Sequence, residues 1–239
     1  MILLMLDYDG TLTPIRSHPK QAKLSAGMLN LLDRLGRSPD IILAIISGRS
    51  LINLKELVPV RGIYFAGCHG LEISGPGIEF SHAKALGAVS HLKNLNKELG
   101  KGISKIPGVL IEDKGLSIAI HFRNVSCEGW PALKREIGRL RNKYPALLCQ
   151  SGRKVYDFRP DVRWDKGKAV EFLIDKLKAK NPFPVYMGDD DTDEDAFKAI
   201  RGRGLGILVA NREKYSQRSH AACRLSSIYK VKKLLESLI

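Results

Sequence analysis

Five short apolar runs punctuate this chain: ILLML at 2–6, IILAII at 41–46, YFAGC at 64–68, VYM at 185–187 and LGILVA at 205–210. Each is too short for a buried helix and lacks the polar alternation of a strand with one wet face, so each reads as a strand covered on both sides. Amphipathic stretches lie between them. SAGMLNLLDRLGR offers Ser25 as an N-cap and an apolar stripe at Leu29, Leu32 and Leu35. LINLKELV closes at Pro59, and KGKAVEFLIDKLKAK stops before Pro182. TDEDAFKAI begins at Thr192 with acids in its first turn, the end of a helix that favours negative charge. Strand–helix alternation of this kind implies an α/β fold, a parallel sheet with helices on both faces. Such sheets carry their sites at the carboxyl ends of strands, where Asp7, Ser47 and Asp189 fall.

The middle of the chain has a different rhythm. A helical pattern, AKALGAVSHLKNLNKEL, leads into VLIEDKGLSIAIHF. There Ser117, Ala119 and His121 alternate with larger apolar residues after a DKG turn, the signature of an antiparallel strand pair. A second helix, WPALKREIGRLRNKY, and a strand, KVYDF, follow. Residues 83–159 therefore read as an α+β insertion in a core built from 1–82 and 160–239, with hinges near 82–84 and 159–162.

The first strand ends in DYDGT, which brings Asp7 and Asp9 together at a glycine turn. Two such charges repel by about 1 kcal/mol in water and about 4 kcal/mol where water is scarce, so something must offset them. Three later stretches supply candidates. ISGRS ends the second strand with Ser47 and Arg49, natural binders of phosphate and hydroxyl groups. DKGKAV places Lys166 at a helix start, where a cation is electrostatically misplaced unless it has an anionic partner. GDDDTDEDAF packs six acids into the seven positions 189–195. Clustered hard oxygens beside a phosphate site suit Mg²⁺, and the spacing is not that of a calcium-binding EF-hand. With a metal and a lysine offsetting the repulsion, Asp7 can attack phosphorus, while Asp9 protonates the leaving alkoxide and then deprotonates the attacking water. The rival motifs GxxxxGK[ST], HExxH and GxSxG are absent from the sequence.

Composition narrows the field further. The 239 residues, 44% hydrophobic and 27% charged, suit a globular chain with a substantial core. No apolar run approaches a membrane span and Met1–Leu6 lacks the features of a signal peptide, so no membrane association is expected. Four dispersed cysteines (Cys68, Cys127, Cys149 and Cys223) form no CxxC pair and read as buried thiols in a reducing compartment, hence an expected cytoplasmic protein. The net charge of +14 is spread along the chain without an aromatic RNA-binding signature, so it reads as a solvated basic surface or as attraction for a small phosphorylated substrate, ahead of nucleic acid.

Taken together, DYDGTLTPI, ISGRS, AGCHGLEISGP, EDKGLSIAIHFRNV, GRKVYDFRP, DKGKAVEFL and GDDDTDEDAF resemble the haloacid dehalogenase superfamily, and within it the trehalose-6-phosphate phosphatases, across almost the whole chain. The resemblance implies a Rossmann-like, doubly wound core with an inserted α/β cap. It implies Asp7 as nucleophile, Asp9 as general acid/base, and Ser47 and Lys166 as holders of the transferred phosphoryl group. Magnesium is expected on Asp7, the Asp9 carbonyl and Asp189, with Asp193 in the outer shell. The substrate, a small sugar phosphate, is expected to meet Thr11, Arg49, His69 and Gly70 in the core and Glu112, Lys114, Arg123, Arg153 and Asp157 in the cap. Relatives carry lysine and glutamate where this chain has Arg153 and Asp157; both changes keep charge and alter reach. A monomer is expected, with a trehalose-phosphate synthase partner compatible with the family. The alternatives are another sugar phosphate, such as a sucrose or mannosyl-glycerate ester, and a nucleic-acid-binding protein built on a phosphatase-like core.

Overall fold

The computed structural model describes residues 1–16, 18–152, 154–210 and 218–239, in two compact units, Met1–Phe80 with Trp164–Ile239, and Ser81–Arg163. In the first unit, strand β1 (Ile2–Leu6) leads through helix α1 (Ala26–Arg37) to β2 (Ile41–Ile46), then through α2 (Leu51–Leu57) to β3 (Tyr64–Gly67). A hairpin of β4 (Glu72–Gly75) and β5 (Ile78–Ser81) follows. The second unit holds α3 (Ala83–Gly87), α4 (Val89–Leu99), β6 (Leu110–Asp113), β7 (Ile118–His121), α5 (Trp130–Lys143), β8 (Leu147–Gly152) and β9 (Val155–Pro160). The chain then returns through α6 (Lys166–Leu177), β10 (Phe183–Gly188), α7 (Asp193–Ile200), β11 (Leu205–Val209), β12 (Cys223–Leu225) and α8 (Ile228–Glu236).

Among the described residues the main sheet runs β12-β11-β10-β1-β2-β3-β4-β5. Its strands pair in parallel from β12 to β3, and β4 joins β3 antiparallel. The period of two along β1 explains its doubly buried character. Leu4 and Leu6 pack with α1, α2 and α8 on one face, while Leu3 and Met5 pack with α6 and α7 on the other. Strand order reverses at β1: the chain moves first toward β2 and later returns to β10 on the opposite side. In doubly wound sheets the usual ligand position lies at such a switch point, here beyond the carboxyl ends of β1 and β10.

The second unit is a four-stranded antiparallel sheet, β6-β7-β9-β8, with helices on one face. Ile118, Ile120, Phe122 and Phe158 pack there against Leu92, Leu95 and Leu99 of α4 and Leu133, Ile137 and Leu140 of α5. Since side chains alternate, the intervening residues of β6, β7 and β9 project from the opposite face.

Candidate active site

The turn after β1 is built around Gly10. Its φ of +91° belongs to glycine, and a Cβ there would lie 2.2 Å from Asp189 Oδ2. The glycine therefore lets the loop from β1 approach the acid that ends β10. Backbone bonds from Gly10 N to Thr13 O (2.8 Å) and Leu12 N to Tyr8 O (3.0 Å) close the turn. Asp7, at its start, is almost fully buried.

Lys166, the first residue of α6, has the anionic partners that its position demands. Its Nζ donates to Asp7 Oδ1 and to Asp193 Oδ1, both at 2.7 Å. Asp193 is the hub of this cluster. Oδ1 also accepts from the Tyr186 hydroxyl at 2.6 Å, and Oδ2 accepts from the backbone N–H groups of Asp189 (2.9 Å) and Asp190 (2.8 Å). Four donors thus satisfy a carboxylate with no solvent exposure. Burial pushes the Asp7 carboxyl well above its ordinary range; Lys166 pulls the other way, and Asp193 and Asp189 add to the rise. Burial works against the Lys166 ammonium, but Asp193 and Asp7 more than offset it and hold the group above its usual value.

Lys166 bonds to Asp7 and Asp193, and the buried carboxyl of Asp189 lies beside them. Oxygen atoms of Asp7, Asp189 and Asp193 all lie within 4.8 Å of one another. Their donors are hard oxygens, and the closeness allowed by Gly10 brings two of the acids together from different strands. The set fits a divalent cation that takes few protein ligands.

Around this cluster lie the other core residues expected at the site. Asp9 meets Arg49 in a two-point pair, Nε to Oδ2 at 2.6 Å and Nη2 to Oδ1 at 2.8 Å. The guanidinium also donates to Asn53 Oδ1 (2.8 Å) and Pro19 O (3.0 Å) and lies 5.0 Å from the Tyr8 ring centre. Arg49 is thereby committed to Asp9 and to the segment around Pro19. Ser47 is buried at the end of β2, where its Oγ accepts from Arg49 N. Thr11 is fully buried, and its hydroxyl has no partner among the described residues. His69 stands opposite Gly48, where a Cβ would come within 2.7 Å of its Nε2. Gly70 is packed under Trp164, whose Nε1 donates to its carbonyl at 2.8 Å, and against Ala169.

In the second unit, Glu112 pairs with His121 at 2.9 Å and Lys114 with Asp157 at 3.5 Å. Arg123 follows β7 in an exposed turn, and Arg153 lies outside the described residues. Tyr186, Asn53, Trp164 and His121 are partners that sequence reading overlooks. For Tyr186 a signal exists: a tyrosine inside a doubly buried strand needs somewhere to place its hydroxyl.

Comparison with known proteins places this geometry in context. A sequence model of the family described as trehalose-phosphatase matches residues 5–228. The chain is 36% identical to probable trehalose-phosphate phosphatase E of Arabidopsis thaliana, covering all of this chain and 70% of that protein. It is 37% identical to probable trehalose-phosphate phosphatase C of the same plant, over all of this chain and 77% of that one. A crystal structure of a trehalose-6-phosphate phosphatase related protein superposes with a TM-score of 0.85 over 99% of this chain and 96% of that one, at 24% identity, and shows the shared fold. This phosphatase chain, with its mainly parallel sheet and acidic cluster at the strand ends, belongs to the trehalose-phosphatase family.

Proposed function

We propose that the chain hydrolyses trehalose 6-phosphate to trehalose and phosphate through an aspartyl-phosphate on Asp7, with Mg²⁺ as cofactor. The observation that carries this reading is the buried cluster itself: Lys166 at 2.7 Å from Asp7, and Asp7, Asp189 and Asp193 close enough to share a cation. Family membership and the names of the Arabidopsis relatives support the sugar.

In this mechanism a carboxylate oxygen of Asp7 attacks phosphorus, and the bond from phosphorus to the sugar oxygen breaks. Asp9 gives that oxygen a proton, then removes one from the water that attacks the aspartyl-phosphate and releases phosphate. Lys166 and Ser47 hold the phosphoryl oxygens, and Lys166 orients Asp7 throughout. Asp7, the Asp9 carbonyl and Asp189, with Asp193 behind them, would hold Mg²⁺, which would supply positive charge for the phosphoryl oxygens. Arg49 fixes Asp9, and Thr11, His69 and Gly70 complete the core pocket. Recognition of the sugar falls to Glu112, Lys114, Arg123, Arg153 and Asp157, in a cap of residues 83–159. We assign the enzyme to the cytoplasm as a monomer. Among the described residues no helix is long and apolar enough to cross a membrane.

The test is phosphate release from a panel of sugar phosphates, with Mg²⁺ or with EDTA. Trehalose 6-phosphate should be turned over fastest, EDTA should silence the reaction, and Asp7→Asn should abolish it. A sucrose or mannosyl-glycerate ester outpacing trehalose 6-phosphate would reassign the substrate, and full activity in EDTA would remove the metal.

A further inference from the structure

The polar face of the second sheet is ordered by its register. Glu112 on β6 stands opposite Ala119 on β7, which stands opposite Asp157 on β9. His121 lies two residues beyond Ala119 on the same face, diagonal to Glu112, within reach of a long side chain. A one-residue slip would drive His121 into the core and expose Ile118 and Ile120, which are fully buried. The packing of Ile118, Ile120, Phe122 and Phe158 on the helix side therefore dictates that the imidazole and the carboxylate meet.

We propose that His121 is the positioning residue for sugar recognition, holding Glu112 in the orientation that reads a hydroxyl of a disaccharide phosphate. The inference rests on the reading of Glu112 as a sugar-binding group. His121 Nε2 and Glu112 Oε2 are 2.9 Å apart. An ionised carboxylate can only accept, so the hydrogen belongs on Nε2. Both side chains of the pair are 25% exposed, and the neighbouring Lys114–Asp157 pair is more buried, at 12% and 15%. These are half-sheltered groups in a row on one face of the sheet. A glutamate has three rotatable bonds and loses much rotamer freedom on meeting a ligand. The imidazole, with two rotatable bonds and a strand to hold it, fixes the carboxylate beforehand and reduces that loss. Lys114 Nζ stands 3.5 Å from Asp157 Oδ1, an ion pair without a hydrogen bond. The face thus sets a braced acceptor beside a paired cationic donor, a pattern suited to a polyol that both donates and accepts.

The experiment compares kcat/KM for trehalose 6-phosphate with kcat/KM for p-nitrophenyl phosphate, which carries no sugar, in the full chain with Mg²⁺. His121→Leu should lower the ratio of the two about tenfold, on the scale of a charge-assisted hydrogen bond, with the loss in KM. His121→Gln, whose amide nitrogen can occupy the Nε2 position, should recover most of it. Glu112→Gln, run in parallel, should lower the ratio at least as far. If His121→Leu melts early, His121→Asn makes the same comparison with an amide that falls short of Glu112. A ratio within twofold of wild type in the Leu or Asn variant, while Glu112→Gln lowers it, overturns the role of His121 and leaves Glu112 as a sugar contact. No effect of Glu112→Gln overturns both. A Gln variant as impaired as the Leu variant also overturns the proposal.

Discussion

Replacing Lys166 by methionine removes its ammonium from the buried acidic cluster at nearly constant side-chain length. Lys166 is 3% exposed and donates to two carboxylates, each at 2.7 Å. Asp7 and Asp193 would then face each other without their shared counter-charge, and removing one partner of a buried pair typically costs about 3–5 kcal/mol. With a urea dependence of about 2–3 kcal/mol per molar, that loss moves the unfolding midpoint down by roughly 1–2 M. Heating reports the same loss, at about 2–4 °C per kcal/mol for a chain of this size. Lys168 is the internal control. It sits on the same helix, is 52% exposed and pairs with the exposed Glu171, so Lys168→Met should leave the midpoint where it is. Urea unfolding of the three proteins in EDTA, followed by circular dichroism, separates the cases. A Lys166→Met midpoint within about 0.3 M of wild type, roughly a fifth of the loss worked out above, would refute the claim that this lysine offsets the acids.

Two further perturbations probe other parts of the account. Gly10→Ala places a Cβ against Asp189 at φ +91°, whereas Gly62→Ala, at φ +78° with nothing within 4 Å, adds only the backbone strain of about 1–2 kcal/mol. Gly10→Ala should therefore lose more stability and most of its phosphate release, while Gly62→Ala keeps its activity; equal behaviour in both assays would remove the close approach from the argument. Glu98 accepts from Lys143, Tyr144 and Arg139, which together hold its carboxyl down to about 2 from an ordinary 4.5. Its contribution to stability is complete above pH 4.5 and fades as the pH falls toward 2, so Glu98→Gln should flatten the acid limb of the urea midpoint in that window. Parallel limbs for the two proteins would show that the triple contact does not persist in solution.

The parts of the fold that periodicity can express were legible. The doubly buried runs became β1, β2, β3, β10 and β11, and the acids at the ends of β1 and β10 met because strand order reverses between them. The misplaced charge of Lys166 correctly demanded an anion, since helix electrostatics is local in sequence. Pairings across long sequence separations were not legible. Arg49 and Asp9 are 40 residues apart, and nothing in ISGRS or DYDGT tells that the guanidinium folds back on the acid instead of facing open pocket. Strand β8 carries no sequence signal, because LLCQSG is mostly exposed and keeps no clean alternation. The β4–β5 hairpin was hidden in a glycine-rich stretch, EISGPGIEFS, whose short strands carry little apolar signal. Tyr186 reads as core, which it is, but its hydroxyl also serves Asp193. Of the cysteines expected to be buried, Cys68 is, whereas Cys127 and Cys223 are exposed, because burial depends on tertiary packing that a lone cysteine does not signal.

The central claim, that Asp7 becomes covalently bonded to phosphorus, can be tested by trapping the adduct. An Asp9→Asn variant lacks the base for the second step, while p-nitrophenyl phosphate has a leaving group stable enough to depart without an acid. Acid quenching of that mixture in Mg²⁺, followed by proteolysis and mass spectrometry, should find one phosphoryl group on the peptide that begins MILLMLDYDG, assigned to Asp7. An unmodified Asp7 in a sample that has released p-nitrophenol, or a phosphoryl group on any other side chain, would contradict the account.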